Sequence, residues 1–86
     1  MTDSYSLVVK KSAERELRDI PKANLRRIMN RLRGLIQNPR PSGCEKLSGH
    51  DRYRVRQGDY RVVYAIDDDQ QLVTIVKIGH RREVYR

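Results

Sequence analysis

A two-layer α+β fold, with a helix pair laid on an antiparallel sheet, is predicted by three features of this 86-residue sequence. Tyr5, Leu7 and Val9 alternate with Ser6, Val8 and Lys10, the period of a strand. Apolar residues then recur at helical spacing up to Ile36, and runs of β-forming residues separated by turn signals fill the carboxy-terminal third. The expected order is strand, helix, helix and a three-stranded meander, with the helices covering one sheet face.

The first strand is expected over Tyr5 to Lys10. Ser12 offers an N-cap for a short helix carrying Ala13, Leu17 and Ile20, which Pro21 interrupts. From Lys22 to Asn38, Leu25, Ile28, Met29, Leu32, Leu35 and Ile36 form one apolar stripe, so this second helix turns a single face to the core. Its other faces carry Arg26, Arg27, Arg31 and Arg33, a pattern that serves either as a solvated surface or as contacts to RNA phosphates. Asn38, Pro39, Pro41, Ser42 and Gly43 end the helix, because proline cannot continue the hydrogen-bond ladder. Strands are expected over Tyr53 to Gln57, Tyr60 to Ile66 and Leu72 to His80.

Gly58-Asp59 suits a two-residue type II′ turn, and that turn sets the register of the hairpin it closes. Gln57 then faces Tyr60, Arg56 faces Arg61, Val55 faces Val62, Arg54 faces Val63 and Tyr53 faces Tyr64. Opposed residues share a sheet face, so Arg54, Arg56 and Arg61 gather on one side and Tyr53, Val55, Val62 and Tyr64 on the other. Like charges directly opposed across a ladder destabilise it by a few tenths of a kcal/mol up to about 1 kcal/mol, unless a ligand or carboxylates such as Asp59 resolve the repulsion. This arrangement is expected to form an anion-binding face. A five-residue loop after Ile66 would set Arg61 against Lys77 and add Lys77 and Arg81 to the same face. A four-residue loop would send both to the core side, where unpaired cations are costly, so the longer loop is expected.

Bulk properties agree with a polyanionic partner. Nineteen Lys and Arg against eleven Asp and Glu give a formal charge of +8, and the sequence pI is near 10.2, a balance that favours nucleic acid or an acidic protein. A chain this short encloses one modest core, so residues 1–86 are expected to form a single domain. The single cysteine, Cys44, precludes an internal disulfide, and no Cys/His cluster has zinc spacing, so no metal or other cofactor is expected. Met1-Thr2-Asp3-Ser4 lacks the charged start and apolar stretch of a signal peptide, and no apolar run reaches membrane-spanning length; a cytoplasmic protein is expected.

Four segments together resemble the RelE branch of the RelE/ParE toxin superfamily: Lys46-Leu47-Ser48-Gly49, Tyr53-Arg54-Val55-Arg56, Gly58 through Tyr64, and Ile78 through Tyr85. Ile20-Pro21-Lys22, the amphipathic helix and Asn38-Pro39 are similar to the family's amino-terminal half, so the resemblance spans nearly the whole chain. It implies a fold similar to microbial ribonucleases and a toxin of a type II toxin-antitoxin module. It also implies ribosome-dependent cleavage of messenger RNA in the A site, without metal, by attack of the substrate's 2′-hydroxyl on the adjacent phosphate. By position Arg54, Arg56, Arg61, Arg81 and Tyr85 match the family's catalytic residues. Arg61 would hold the phosphate, Arg81 the phosphate or leaving oxygen, and Tyr85 a base or the 2′-hydroxyl. Lys46, Arg52, Lys77, His80 and Arg82 are the accompanying candidates for RNA binding.

Two departures bear on the chemistry. The family often has lysines where Arg54 and Arg56 stand; arginine stays protonated, so these two would act electrostatically rather than as bases. His80 offers an imidazole that could share the proton work, but its register sends it to the face opposite the arginines. Some relatives also continue past the tyrosine into a further helix, whereas this sequence stops at Arg86. The resemblance further implies an acidic, RelB-like antitoxin that folds as it wraps the toxin. Two rival readings stay open: a ParE-like inhibitor of DNA gyrase, and a noncatalytic module binding RNA or an acidic partner with strong salt dependence.

Overall fold

A computed structural model of the chain describes residues 4–47 and 51–80. Its elements are β1 (Ser6–Val9), α1 (Lys11–Arg18), α2 (Lys22–Gln37), β2 (Glu45–Leu47), β3 (Arg52–Gln57), β4 (Tyr60–Asp67) and β5 (Leu72–His80). They make an α+β fold in which one five-stranded sheet, ordered β1-β5-β4-β3-β2, carries the helix pair on one face. The sheet is therefore larger than the expected three-stranded meander, for two reasons. β1 joins it parallel to β5, Ser6 opposite Leu72 through Val9 opposite Ile75. Glu45–Leu47 adds a short antiparallel edge strand against β3.

The start of α1 follows from that parallel pairing. The Lys10 N–H donates to the Ile75 carbonyl at 3.0 Å while the Lys10 carbonyl accepts from Glu14 at 2.8 Å, so the chain leaves the sheet and enters the helix at one residue. Lys10 thus takes the N-cap position, without a side-chain cap, and Ser12 lies inside the helix rather than capping it. Farther along, Glu16 accepts the Ile78 N–H at 2.8 Å, satisfying a β5 donor beyond the reach of β1.

α2 packs the stripe read from its sequence: Ile28, Leu32 and Leu35 are buried. They meet Val55, Val62, Tyr64, Val73, Ile75 and Ile78 of the sheet, and Ala13 and Ile20 complete the core from the α1 side. Burying such side chains is worth about 1.5–3 kcal/mol each before the entropy of ordering them is counted, so this face holds the sheet in place. Arg31 also ties α2 to the sheet, donating from Nη2 to the Arg56 carbonyl at 3.3 Å.

The β3–β4 hairpin has the expected register, residue for residue, from Tyr53 opposite Tyr64 to Gln57 opposite Tyr60. Gly58 has φ +60°, and Asp59 is not left-handed, as a type II′ turn requires. The β4–β5 connection differs from expectation. Asp67 pairs with Leu72, so four residues form the loop rather than five. A register shift at Val63/Tyr64 then leaves Val76 as an extra residue on β5, and Lys77 pairs with Val63, Gly79 with Arg61. The bulge flips the alternation back, so Lys77 still reaches the arginine face, although it stands in Arg54's row and not opposite Arg61. No helix among the described residues is long and apolar enough to cross a membrane.

Candidate nucleic-acid interface

The sheet face turned away from the helices is organised in rows set by strand pairing. One row runs Glu45, Arg54, Val63, Lys77 across β2, β3, β4 and β5; the next holds Arg56, Arg61 and Gly79. A third row, Leu47, Arg52, Ala65 and Thr74, puts Arg52 on the same face. Where the first two rows meet the segment before β2 there is a cavity of about 340 Å³ lined by Gly43, Cys44, Glu45, Arg54, Arg56 and Arg61. Its size lies at the lower end of the range for small-ligand sites, enough for a nucleotide portion rather than a flat surface contact.

Arg61 is 7% exposed, the one buried charged residue among those described. Its Nη1 donates to the Tyr60 carbonyl at 3.3 Å. Arg56 is exposed at the rim, and Arg54 is ion-paired with Glu45 across the β2–β3 edge. The hydrogen bond and charge of Arg54, followed by the charges of Arg56 and Arg61, hold the Glu45 carboxyl below its ordinary range. Among the described residues the cavity therefore concentrates positive potential around one carboxylate, and fixed guanidinium groups in such a setting suit phosphate oxygens.

A second network fixes the wall of the cavity. Arg40 donates from Nη1 and Nη2 to the two oxygens of Asp68 at 3.1 and 3.0 Å and from Nε to the Tyr53 hydroxyl at 3.2 Å. Tyr5 donates to Asp68 at 2.8 Å. These contacts hold the Asp68 carboxyl low, Arg40 before Tyr5, while Asp68 raises the Tyr5 phenol. The Tyr53 ring stacks on Tyr64 at 5.9 Å between centroids, and the buried Tyr64 hydroxyl donates to the Pro39 carbonyl at 2.6 Å. Burial pushes the Tyr64 phenol well above its usual range. The segment after α2 is thus pinned at Pro39 and Arg40, and Gly43, at φ +92°, turns it into β2 so that Glu45 faces Arg54.

Comparison with known proteins identifies this framework. Residues 7–85 match the family model for the ParE toxin of type II toxin-antitoxin system, parDE. The chain is 31% identical over 86 residues to putative toxin RelE1 of Methanocaldococcus jannaschii, covering 95% of this chain and 96% of that protein. It is 33% identical over 84 residues to toxin RelE of Mycobacterium tuberculosis, covering 95% and 87% respectively. Among solved structures, the RelE of an archaeal RelE–RelB complex from Pyrococcus horikoshii OT3 superposes with a TM-score of 0.83 at 32% identity, over 91% of this chain and 96% of that one. The chain belongs to the RelE/ParE superfamily of type II toxins. Its curated relatives and structural neighbours place it with the RelE-like toxins.

Of the residues singled out in this toxin by sequence, Arg54, Arg56 and Arg61 meet in the cavity. Arg52 and Lys77 share their face. Lys46 pairs with Tyr53 and so points to the helix side, where Nζ lies 3.8 Å from the exposed Asp51 carboxylate. His80 pairs with Tyr60 on that same side, the two rings in edge contact at 5.9 Å, in a cleft with Glu16 and Asp19. Neither lines the arginine cavity. Arg81, Arg82 and Tyr85 lie outside the described residues. The residue that sequence reasoning missed is Glu45, the one carboxylate lining the cavity among the described residues. Glu45 is the strand neighbour and ion-pair partner of Arg54, and its only sequence signal was its place two residues from the Leu47-Ser48-Gly49 segment.

Proposed function

We propose that this RelE-like toxin is a ribosome-dependent messenger-RNA endoribonuclease that needs no metal and inhibits translation by cutting in the A site. The observation that carries the reading is the convergence of Arg54, Arg56 and Arg61, from two paired strands, on one cavity. In-line attack of a 2′-hydroxyl on the neighbouring phosphate builds charge on the phosphoryl oxygens and on the departing 5′-oxygen. Guanidinium groups fixed before the substrate arrives stabilise that charge without reorganising. Arg61, held by the sheet and largely shielded from water, is suited to the phosphate itself. Arg54 and Arg56 supply field and grip, and Arg52 and Lys77 extend the track for the flanking backbone. The resemblance assigns Arg81 to the leaving side and Tyr85 to a base or the 2′-hydroxyl.

A nuclease of this kind must be restrained in its host, and the basic face calls for an acidic, RelB-like antitoxin in the cytoplasm that covers it. The Pyrococcus horikoshii relative was solved as a RelE–RelB complex. The test is primer extension on programmed ribosomes: the toxin freed of antitoxin creates new 5′ ends at the A-site codon, scarcely cuts naked RNA, and loses activity in Arg61→Ala. Because the matching family model is named for ParE, the rival is gyrase inhibition. Impaired supercoiling with messenger left intact would move the toxin to that class.

A further inference from the structure

In-line cleavage requires the 2′-hydroxyl to lose its proton, and the arginines of this cavity cannot take it, because a guanidinium has no acceptor and stays charged. His80 is on the opposite face against Tyr60. Cys44 brings a thiol, a weak acceptor. What the cavity does offer is the Glu45 carboxylate, placed by β2 directly across from Arg54 and within the field of Arg56 and Arg61.

The geometry points to Glu45 as the general base that accepts the 2′-hydroxyl proton, an inference that rests on the nuclease reading above. The charged groups facing it are Arg54 and Arg56 from β3 and Arg61 from β4, with Lys77 of β5 at the far end of its row. In the free toxin these arginines depress its proton affinity. A bound phosphate reverses the balance: its negative charge offsets the arginines and adds a like charge beside the carboxylate, so the base strengthens when substrate is seated. In the step itself the proton passes from the 2′-oxygen to Glu45 and the 2′-oxygen forms its bond to phosphorus. The bond from phosphorus to the 5′-oxygen breaks with its electron pair, and the 5′-oxygen takes a proton from water. The products are a 2′,3′-cyclic phosphate and a free 5′-hydroxyl, and Glu45 returns its proton to solvent.

Single-turnover cleavage on programmed ribosomes by the wild-type chain, Glu45→Gln and Glu45→Asp tests this, alongside binding of inorganic phosphate to each free toxin. Glutamine keeps an oxygen that accepts from Arg54 but is no base. Glu45→Gln should cut about 10²- to 10⁴-fold more slowly, while binding phosphate at least as tightly, because a competing anion has left the cavity. The wild-type rate should be nearly level between about pH 6 and 8, since the carboxylate is already ionised there. The Glu45→Gln rate should climb roughly tenfold per pH unit as hydroxide takes over. Glu45→Asp should recover part of the loss. Cleavage by Glu45→Gln within about twofold of wild type overturns the assignment, and so does a matched loss of cleavage and phosphate binding, which marks a structural role. Intact messenger with the wild-type toxin is a separate result: it refutes the nuclease reading itself, and this inference falls with it.

Discussion

Replacing Arg56 by alanine is expected to reduce the salt sensitivity of RNA binding, while replacing Lys46 is not. Both are exposed cations with no buried role for their side chains, but strand pairing puts Arg56 beside Arg61 on the cavity face and Lys46 beside Tyr53 on the helix side. Each phosphate neutralised on a single strand contributes about −0.7 to the slope of log affinity against log salt. Loss of Arg56 should therefore flatten that slope by about 0.7, so that a fourfold rise in salt costs the variant about 2.6-fold less affinity than it costs wild type. Fluorescence anisotropy with a short, 2′-O-methylated RNA between 50 and 200 mM salt, the range about which such slopes are usually measured, gives the comparison directly. The Arg31 contact to the Arg56 backbone carbonyl survives the substitution, so the strand should keep its place. Equal slopes for the two variants, or a larger change with Lys46→Ala, would refute the division of the sheet into a cationic and a core face.

Two further outcomes follow from the network behind the cavity. Tyr64→Phe removes a buried hydroxyl and strands the Pro39 carbonyl it serves. It should cost about 1–2 kcal/mol, or roughly 5–15 °C in Tm, measured by thermal unfolding, and an unchanged Tm would show that the bond contributes nothing. Asp68, whose pKa is depressed by Arg40 and then by Tyr5, contributes stability that is present above the carboxylate's unfolded pKa and lost as pH falls through its folded one. Urea titrations at pH 6 and pH 3 should show a larger loss for wild type than for Asp68→Asn; identical losses would remove Asp68 from the account.

Local signals explain what could be read in advance. The β3–β4 register was legible because Gly58 imposes φ > 0 at a turn that admits only one pairing, and α2 because its apolar stripe repeats over four turns. β2 was not legible: Glu45-Lys46-Leu47 is too short for a period, and it is a strand only because the pinned segment after α2 delivers it to the free edge of β3. Glu45 was missed for that reason. The parallel pairing of β1 with β5 joins residues more than sixty positions apart, and the Val76 bulge leaves no mark in composition, so the loop length was misjudged while the face reached by Lys77 came out as expected. Lys10 displaced Ser12 as the start of α1 because sheet pairing outweighed an intrinsic capping preference.

If guanidinium groups from β3 and β4 close on one RNA phosphate, the arginine Nε–Hε resonances of the toxin will report it during titration with a 2′-deoxy dinucleotide, which binds but cannot be cut. Arg54, Arg56 and Arg61 are predicted to shift together along one binding curve, with Arg26, Arg27 and Arg33 of α2 unmoved. Shifts confined to the α2 arginines, with the three sheet arginines silent, would contradict it.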